Sequence, residues 1–184
     1  MNFLQYKTQK ENTSTNLNIF DNVVPYDVRY FTWGCCIQTP FKLGWSDTKE
    51  TEKYDMNAYS SLETSDLIYA GISPYFEKCI NETEWFTNKK LSTIILNLVR
   101  PDDVYYIHSH PGKQVLLYYM NLDWKDGWYG ETLFYDPCDF DKIIFTSTYK
   151  PGRIILFDGN IPHAIRPQSI KAPKYRFSLS LFFE

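Results

Sequence analysis

Three histidines, His108, His110 and His163, are the only imidazoles in the 184-residue chain. Two of them stand two apart in Val104-Tyr-Tyr-Ile-His-Ser-His110, and side chains two apart on an extended strand project from one face. Tyr106, His108 and His110 would then share one side, with Tyr105, Ile107 and Ser109 on the other. Neutral imidazole is a ligand for Fe, Zn, Cu and Ni, so the pair is half a metal site and a third donor must come from a distant segment. His163, in Phe157-Asp-Gly-Asn-Ile-Pro-His163 at the start of another β-prone run, is the remaining imidazole. An H-x-H pair also fits histidines bonded to backbone at the surface or in a pocket, and spacing alone leaves both readings open.

A second chemical signal lies at the carboxyl end. Residues 175–183, Tyr-Arg-Phe-Ser-Leu-Ser-Leu-Phe-Phe, alternate so that Phe177, Leu179, Leu181 and Phe183 share one face and Arg176, Ser178, Ser180 and Phe182 the other. An arginine heading a face of small hydroxylated residues suits a cavity, where its planar fork pairs bidentately with a carboxylate. The strand alone equally allows an edge arginine that snorkels to water.

The elements that would position these residues follow from the punctuation of the chain. From Leu91 onward, β-prone runs at 93–99, 103–110, 114–121, 131–136, 142–147, 153–157, 162–166 and 175–183 are separated by Gly, Pro, Asn and Asp. No crossover helix fits between them, which argues for an antiparallel sandwich or barrel. Ahead of them, 28–37 is β-prone, 46–57 is a charged surface loop, and Ser61–Cys79 has helical spacing. That stretch predicts one or two helices, with Ser65 and Asp66 as caps and Pro74 as a break or restart. The polar stretch Lys7–Asn18 is a candidate loose arm. The expected architecture is α+β, mainly β, with amino-terminal strands and helices (1–92) and a β core (93–184) in a single domain. Two antiparallel sheets should face each other, with the helices packed on one outer face.

Composition limits the functional classes. Hydrophobic residues are 43% and aromatics 18%, so the chain buries a core and is not disordered along its length. A net charge of −3 leaves no basic excess for general binding to nucleic acid or an anionic membrane. No apolar run has membrane-spanning length. Cys35, Cys36, Cys79 and Cys138 form no C-x-x-C pair, and with no apolar leader they read as reduced thiols of a cytoplasmic protein.

Several stretches in order carry a resemblance. His108-Ser-His110, then Tyr118-Tyr-Met-Asn-Leu-Asp-Trp124, Tyr129-Gly-Glu-Thr-Leu-Phe-Tyr135, Pro151-Gly-Arg-Ile-Ile-Leu-Phe-Asp-Gly-Asn-Ile-Pro-His163 and Arg176 resemble the iron(II)- and 2-oxoglutarate-dependent oxygenases of the prolyl 4-hydroxylase type, over about residues 93–184. The resemblance implies a double-stranded β-helix (jelly roll), agreeing with the strand pattern. It implies His108 as the first iron ligand and His163 as the last. Arg176 would pair with the distal carboxylate of 2-oxoglutarate, and Tyr119 would donate to it. Phe182 would lie near the substrate, and Tyr106 would face the same cavity. Gly130-Glu131-Thr132 resembles the family's Gly-Gly-Glu with Tyr129 at the first glycine, read as a structural turn. Fe(II), 2-oxoglutarate and O₂ are the implied cofactor and cosubstrates, and hydroxylation of an aliphatic C–H bond is the implied reaction. A prolyl side chain of a peptide or protein is the leading substrate, with a small molecule as the other candidate.

One position departs from the pattern. The family's motif is His-x-Asp, and His110 stands where the aspartate belongs. A neutral imidazole there removes one negative charge from the ligand set of the usual facial triad and favours Fe(II) over higher oxidation states. Glu131 and Asp126 are the nearby carboxylates that would restore the charge. The departure keeps two further readings in play: a catalytically silent module that binds metal and 2-oxoglutarate, and a three-histidine dioxygenase that does not use 2-oxoglutarate. Arg176 and Tyr119 argue against the latter.

Overall fold

The computed structural model describes residues 4–5, 16–46, 57–103 and 105–184. Most of the arm expected at Lys7–Asn18 and of the loop expected at 46–57 lies outside the described residues. The end of the arm is ordered differently from expectation, since Leu17 and Asn18 belong to a strand.

Eight strands make the larger sheet. They are β1 (Leu4–Gln5), β2 (Leu17–Phe20), β3 (Lys42–Trp45), β4 (Asn57–Leu62), β5 (Leu91–Val99), β6 (Gln114–Tyr119), β9 (Ile154–Asp158) and β11 (Arg176–Phe183), in the order β1-β2-β9-β6-β11-β5-β4-β3. The smaller sheet comprises β7 (Thr132–Asp136), β8 (Asp139–Ser147) and β10 (His163–Ile165), in the order β10-β7-β8. All pairings between these strands are antiparallel. Two helices, α1 (Tyr26–Cys36) and α2 (Leu67–Asn81), cover the outer face of the larger sheet.

Alternation along the central strands divides the interior in two. Phe177, Leu179, Leu181 and Phe183 of β11 join Leu116, Tyr118, Ile154 and Leu156 beneath Ile68, Ile72 and Phe76 of α2. From the opposite faces of the same strands, Val115, Leu117, Tyr119, Ile155, Phe157 and Phe182 meet Phe134 and Ile161 between the two sheets. β11 lies between β5 and β6, with Ser178 beside both Asn97 and Tyr119. Its inward residues therefore sit at the centre of the sandwich, as the period of two requires.

Four expectations are corrected. The run 28–37, rich in aromatics and read as β-prone, falls in α1 up to Cys36. Pro25 precedes its first turn and Asp27 lies within it, which suits a helix start. Thr32 and Cys36, four apart, are buried against the core, so tertiary burial outweighs local preference. Ser61 and Leu62 close β4, and the helix begins only at Leu67. Pro74 does not break α2; it and Ala70 are exposed, so water can take the Ala70 carbonyl that the proline leaves without its N–H donor. The described residues of 103–110 carry no ladder, and among them His108 alone makes an isolated bridge, with His163. The four cysteines are free thiols. No helix among the described residues is long and apolar enough to cross a membrane.

Candidate functional site

His108 and His163 meet because their backbones bond reciprocally, His108 N–H to the His163 carbonyl at 3.1 Å and His163 N–H to the His108 carbonyl at 2.9 Å. His110 is held by a second tie. Its N–H donates to the Gly159 carbonyl at 2.6 Å, and Gly159 N–H donates to the Lys113 carbonyl at 2.9 Å. A Cβ on Gly159 would collide with the His110 carbonyl oxygen and stand 2.6 Å from that of Lys113, so only glycine admits this approach.

One ligand nitrogen from each of His108, His110 and His163 lies within 4.8 Å of the others. His108 Nδ1 is 3.0 Å from the Tyr106 carbonyl and His163 Nδ1 is 2.9 Å from the Ile161 carbonyl. A carbonyl only accepts, so each Nδ1 carries the proton and each Nε2 offers its lone pair. Burial, then the neighbouring His108 and Lys113, push His110 down to about 3. Burial, then His108 and His110, hold His163 well below the ordinary imidazole value, partly offset by the Ile161 carbonyl. Both rings are thus neutral donors at physiological pH. Phe182 packs edge-on at 4.7 Å from His110, and Phe157 likewise at 4.8 Å from His163.

No carboxylate among the described residues joins the cluster. Glu131 does not supply the missing charge; its Oε2 is 4.0 Å from Arg166 Nη1. Asp126 belongs to the turn before Gly127, outside the cluster.

Arg176 is fully buried. Its Nε donates to the Gly130 carbonyl at 3.0 Å and its Nη1 to Ser178 Oγ at 3.3 Å. The guanidinium stands over the rings of Tyr149 at 4.7 Å and Tyr119 at 5.2 Å, two rings stacked at 4.3 Å and 18°. Its Nη2 has no partner, and no carboxylate among the described residues pairs with the cation. A buried guanidinium without a counter-ion is costly and attracts an anion.

An internal cavity of about 60 Å³ runs along the inner face, bounded by all three histidines, Phe182, Thr132, Ser178, Ser180 and Asn97 among others. It has room for about five waters, the bulk of a small organic acid. An open groove of about 320 Å³ adjoins it outside, lined by Thr93, Pro111 and Lys113 and sharing Trp45, His110 and Phe182 with the cavity. Phe182 therefore borders both spaces. Tyr106 is placed differently from expectation: its side chain is exposed and Tyr105 lines the cavity instead. Without a ladder at 105–107, strand alternation does not govern these side chains. Tyr119 is buried behind the wall, its hydroxyl donating to Thr132 Oγ1 at 2.8 Å. Tyr129 occupies a left-handed conformation, φ 61°, followed by Gly130 at φ 83°, which explains why glycine suits the family's first position.

Sequence reasoning missed Gly159, Thr132 and Tyr149. Thr132 was legible from the β7 alternation that puts it on the same face as Phe134. Gly159 and Tyr149 carry no local signal.

The chain has the jelly-roll fold of the 2-oxoglutarate–Fe(II) oxygenases. Among solved structures it is similar to a prolyl 4-hydroxylase of Pseudomonas putida (TM-score 0.70, 14% identity, 92% of this chain and 93% of that one). It is also similar to a Trichoplax adhaerens prolyl hydroxylase in complex with a hypoxia inducible factor peptide fragment (0.66, 12%, 92% and 83%). A third is the viral collagen prolyl hydroxylase of Paramecium Bursaria Chlorella virus-1, as its 2-oxoglutarate complex (0.63, 12%, 91% and 94%). No protein-family model and no curated protein matches the sequence.

Proposed function

We propose that this protein is an Fe(II)- and 2-oxoglutarate-dependent oxygenase that hydroxylates an aliphatic C–H bond, with a prolyl side chain of a peptide or protein as substrate. The observation that carries the reading is the pairing, in one sandwich interior, of three clustered imidazoles with a fully buried arginine whose Nη2 has no partner. His108, His110 and His163 would hold the metal through one nitrogen each. Arg176 would hold the distal carboxylate of 2-oxoglutarate. When bound, Fe(II) and 2-oxoglutarate supply the activation of O₂ that C–H hydroxylation requires.

The remaining work falls to the chain. The Tyr106 and Ile161 carbonyls orient two imidazoles, and Phe157 and Phe182 exclude water from the rings they touch. The groove beside His110 gives an extended peptide access to the metal face, with Trp45 and Phe182 as apolar contacts. The Trichoplax neighbour's peptide complex supports a peptide as partner.

The test is succinate formation from 2-oxoglutarate by Fe(II)-loaded protein, with loss of activity in H163A. His110 favours a second reading, a module that binds both groups without turnover. Binding of metal and 2-oxoglutarate without succinate, and with succinate in H110D, would establish that reading instead.

A further inference from the structure

The outer face of α1 leaves apolar surface uncovered. Tyr26, Tyr30, Phe31 and Ile37, with Leu67 at the start of α2, are 52% to 63% exposed. Tyr26, Tyr30, Trp33 and Ile37 are spaced four, three and four apart, the spacing of a seam along which helices pack. Gly34 adjoins that seam. It is not left-handed, and a Cβ there would meet nothing within 4 Å, so neither conformation nor crowding within the chain calls for a residue that weakens a helix. Gly71 of α2 is the contrast, because a Cβ there would stand 3.1 Å from Thr32 of α1. Glycine at 71 admits a neighbouring helix, and at 34 the same gap is open to the outside.

The seam runs into an open groove of about 620 Å³ at the carboxyl end of α1, walled by Trp33, Ile37, Phe41, Pro173 and Tyr175. It shares only Leu98 with the wall of the internal cavity and none of the histidines, so its occupant is a separate question from the cofactors. Of its two charged residues, Asp123 follows Leu122, whose carbonyl accepts from Arg29 Nη2 of the same chain at 3.3 Å. Lys174, exposed and 5.2 Å over the Tyr175 ring, is the cation the groove presents outward. The opposite end of α1 carries an exposed acid, Asp27.

We propose that this face binds a second copy of the chain, with the two α1 helices antiparallel and crossing at Gly34. A surface with projecting aromatics at one end and a groove at the other complements itself, because a twofold axis between the ends seats each in the other. With the axis at Gly34, Phe31 faces Ile37 of the other copy, and Tyr26 and Asp27 reach its groove, where Lys174 supplies the opposite charge. A parallel pairing would set Asp27 against Asp27. At roughly 100 Å² for each half-exposed side chain, the five leave about 500 Å² open. The groove walls bring this toward the ~800 Å² per copy that a standard interface buries.

The experiment is sedimentation equilibrium of the full chain as wild type, G34L, D27K, K174E and the D27K/K174E double variant. Wild type has the mass of two chains at about 100 µM, well above a micromolar Kd. G34L blocks the crossing and raises the dimer Kd on the order of a hundredfold. At a dilution where both are monomers its Tm is no lower than that of wild type, since leucine is the better helix former; G34A makes the comparison should G34L not fold. D27K and K174E each weaken the dimer several-fold, the range for an exposed ion pair, and the double variant recovers it. Wild type that stays monomeric overturns the proposal and assigns the face to another occupant. A dimer that G34L leaves intact overturns it in favour of another interface. A double variant no tighter than either single overturns the antiparallel register, and the proposal with it.

Discussion

At the scale of single residues, the metal cluster depends on a glycine and on one changed ligand. Gly159 lets the β9–β10 turn reach the backbone of His110, and a methyl group there meets carbonyl oxygens that no rotamer change can avoid. G159A should shift His110 and weaken Mn(II) binding on the order of 10–100-fold, the usual effect of disturbing the groups that orient a ligand. Electron paramagnetic resonance titration of Mn(II) checks this. His110 makes the converse case. Its position is half-buried beside Phe182, so H110D places an unpaired carboxylate in a partly desolvated site of the metal-free protein. Thermal unfolding should show a lower Tm than wild type without metal and a larger rise on adding Mn(II). A rise no larger than in wild type would mean that the surroundings are tuned to three imidazoles.

Between elements, charge ties β2 to β9. Asp21, just beyond β2, accepts from Arg153 Nε at 2.8 Å and from Lys150 Nζ at 2.9 Å. Burial raises the Asp21 carboxyl, but bonds to Arg153 and Lys150 outweigh it and hold it below the usual 3.8. A carboxyl depressed in the folded state stabilises the fold above its unfolded value, and that stability is lost as pH falls through the folded one. Stability from this pair is therefore full at neutral pH and declines below about pH 4. D21N should lower stability at pH 7 and lose less than wild type on acidification toward pH 2. Urea midpoints at the two pH values measure both.

For the molecule as a whole, the two ends of the cavity couple folding to its ligands. The histidine end joins β10 to the 108–110 segment, and the cationic end joins β11 to the turn before β7. A ligand set that binds only the folded chain at a hundred times its Kd stabilises by about 2.7 kcal/mol. For a chain of this size that raises Tm by about 5–10 °C. Differential scanning with Mn(II) and 2-oxoglutarate together should show the rise, and EDTA should reverse it.

What the sequence by itself determined was which way side chains face. The alternation of β11 places Arg176, Ser178, Ser180 and Phe182 inward and its phenylalanines and leucines toward the helices, and the sandwich bears this out because a strand's period is local and exact. Local reading failed where tertiary burial decides: residues 28–36 are helical because packing of Thr32 and Cys36 overrides aromatic β preference, and Tyr105 replaces Tyr106 in the cavity because an isolated bridge imposes no alternation. Which residues meet was settled only by the tertiary structure. The approach of Gly159 to His110, the interposition of Thr132 between Tyr119 and the cavity, and the stacking of Tyr149 under Arg176 all join segments distant in sequence. Such contacts follow from strand order and register, which long-range burial fixes and no local periodicity encodes.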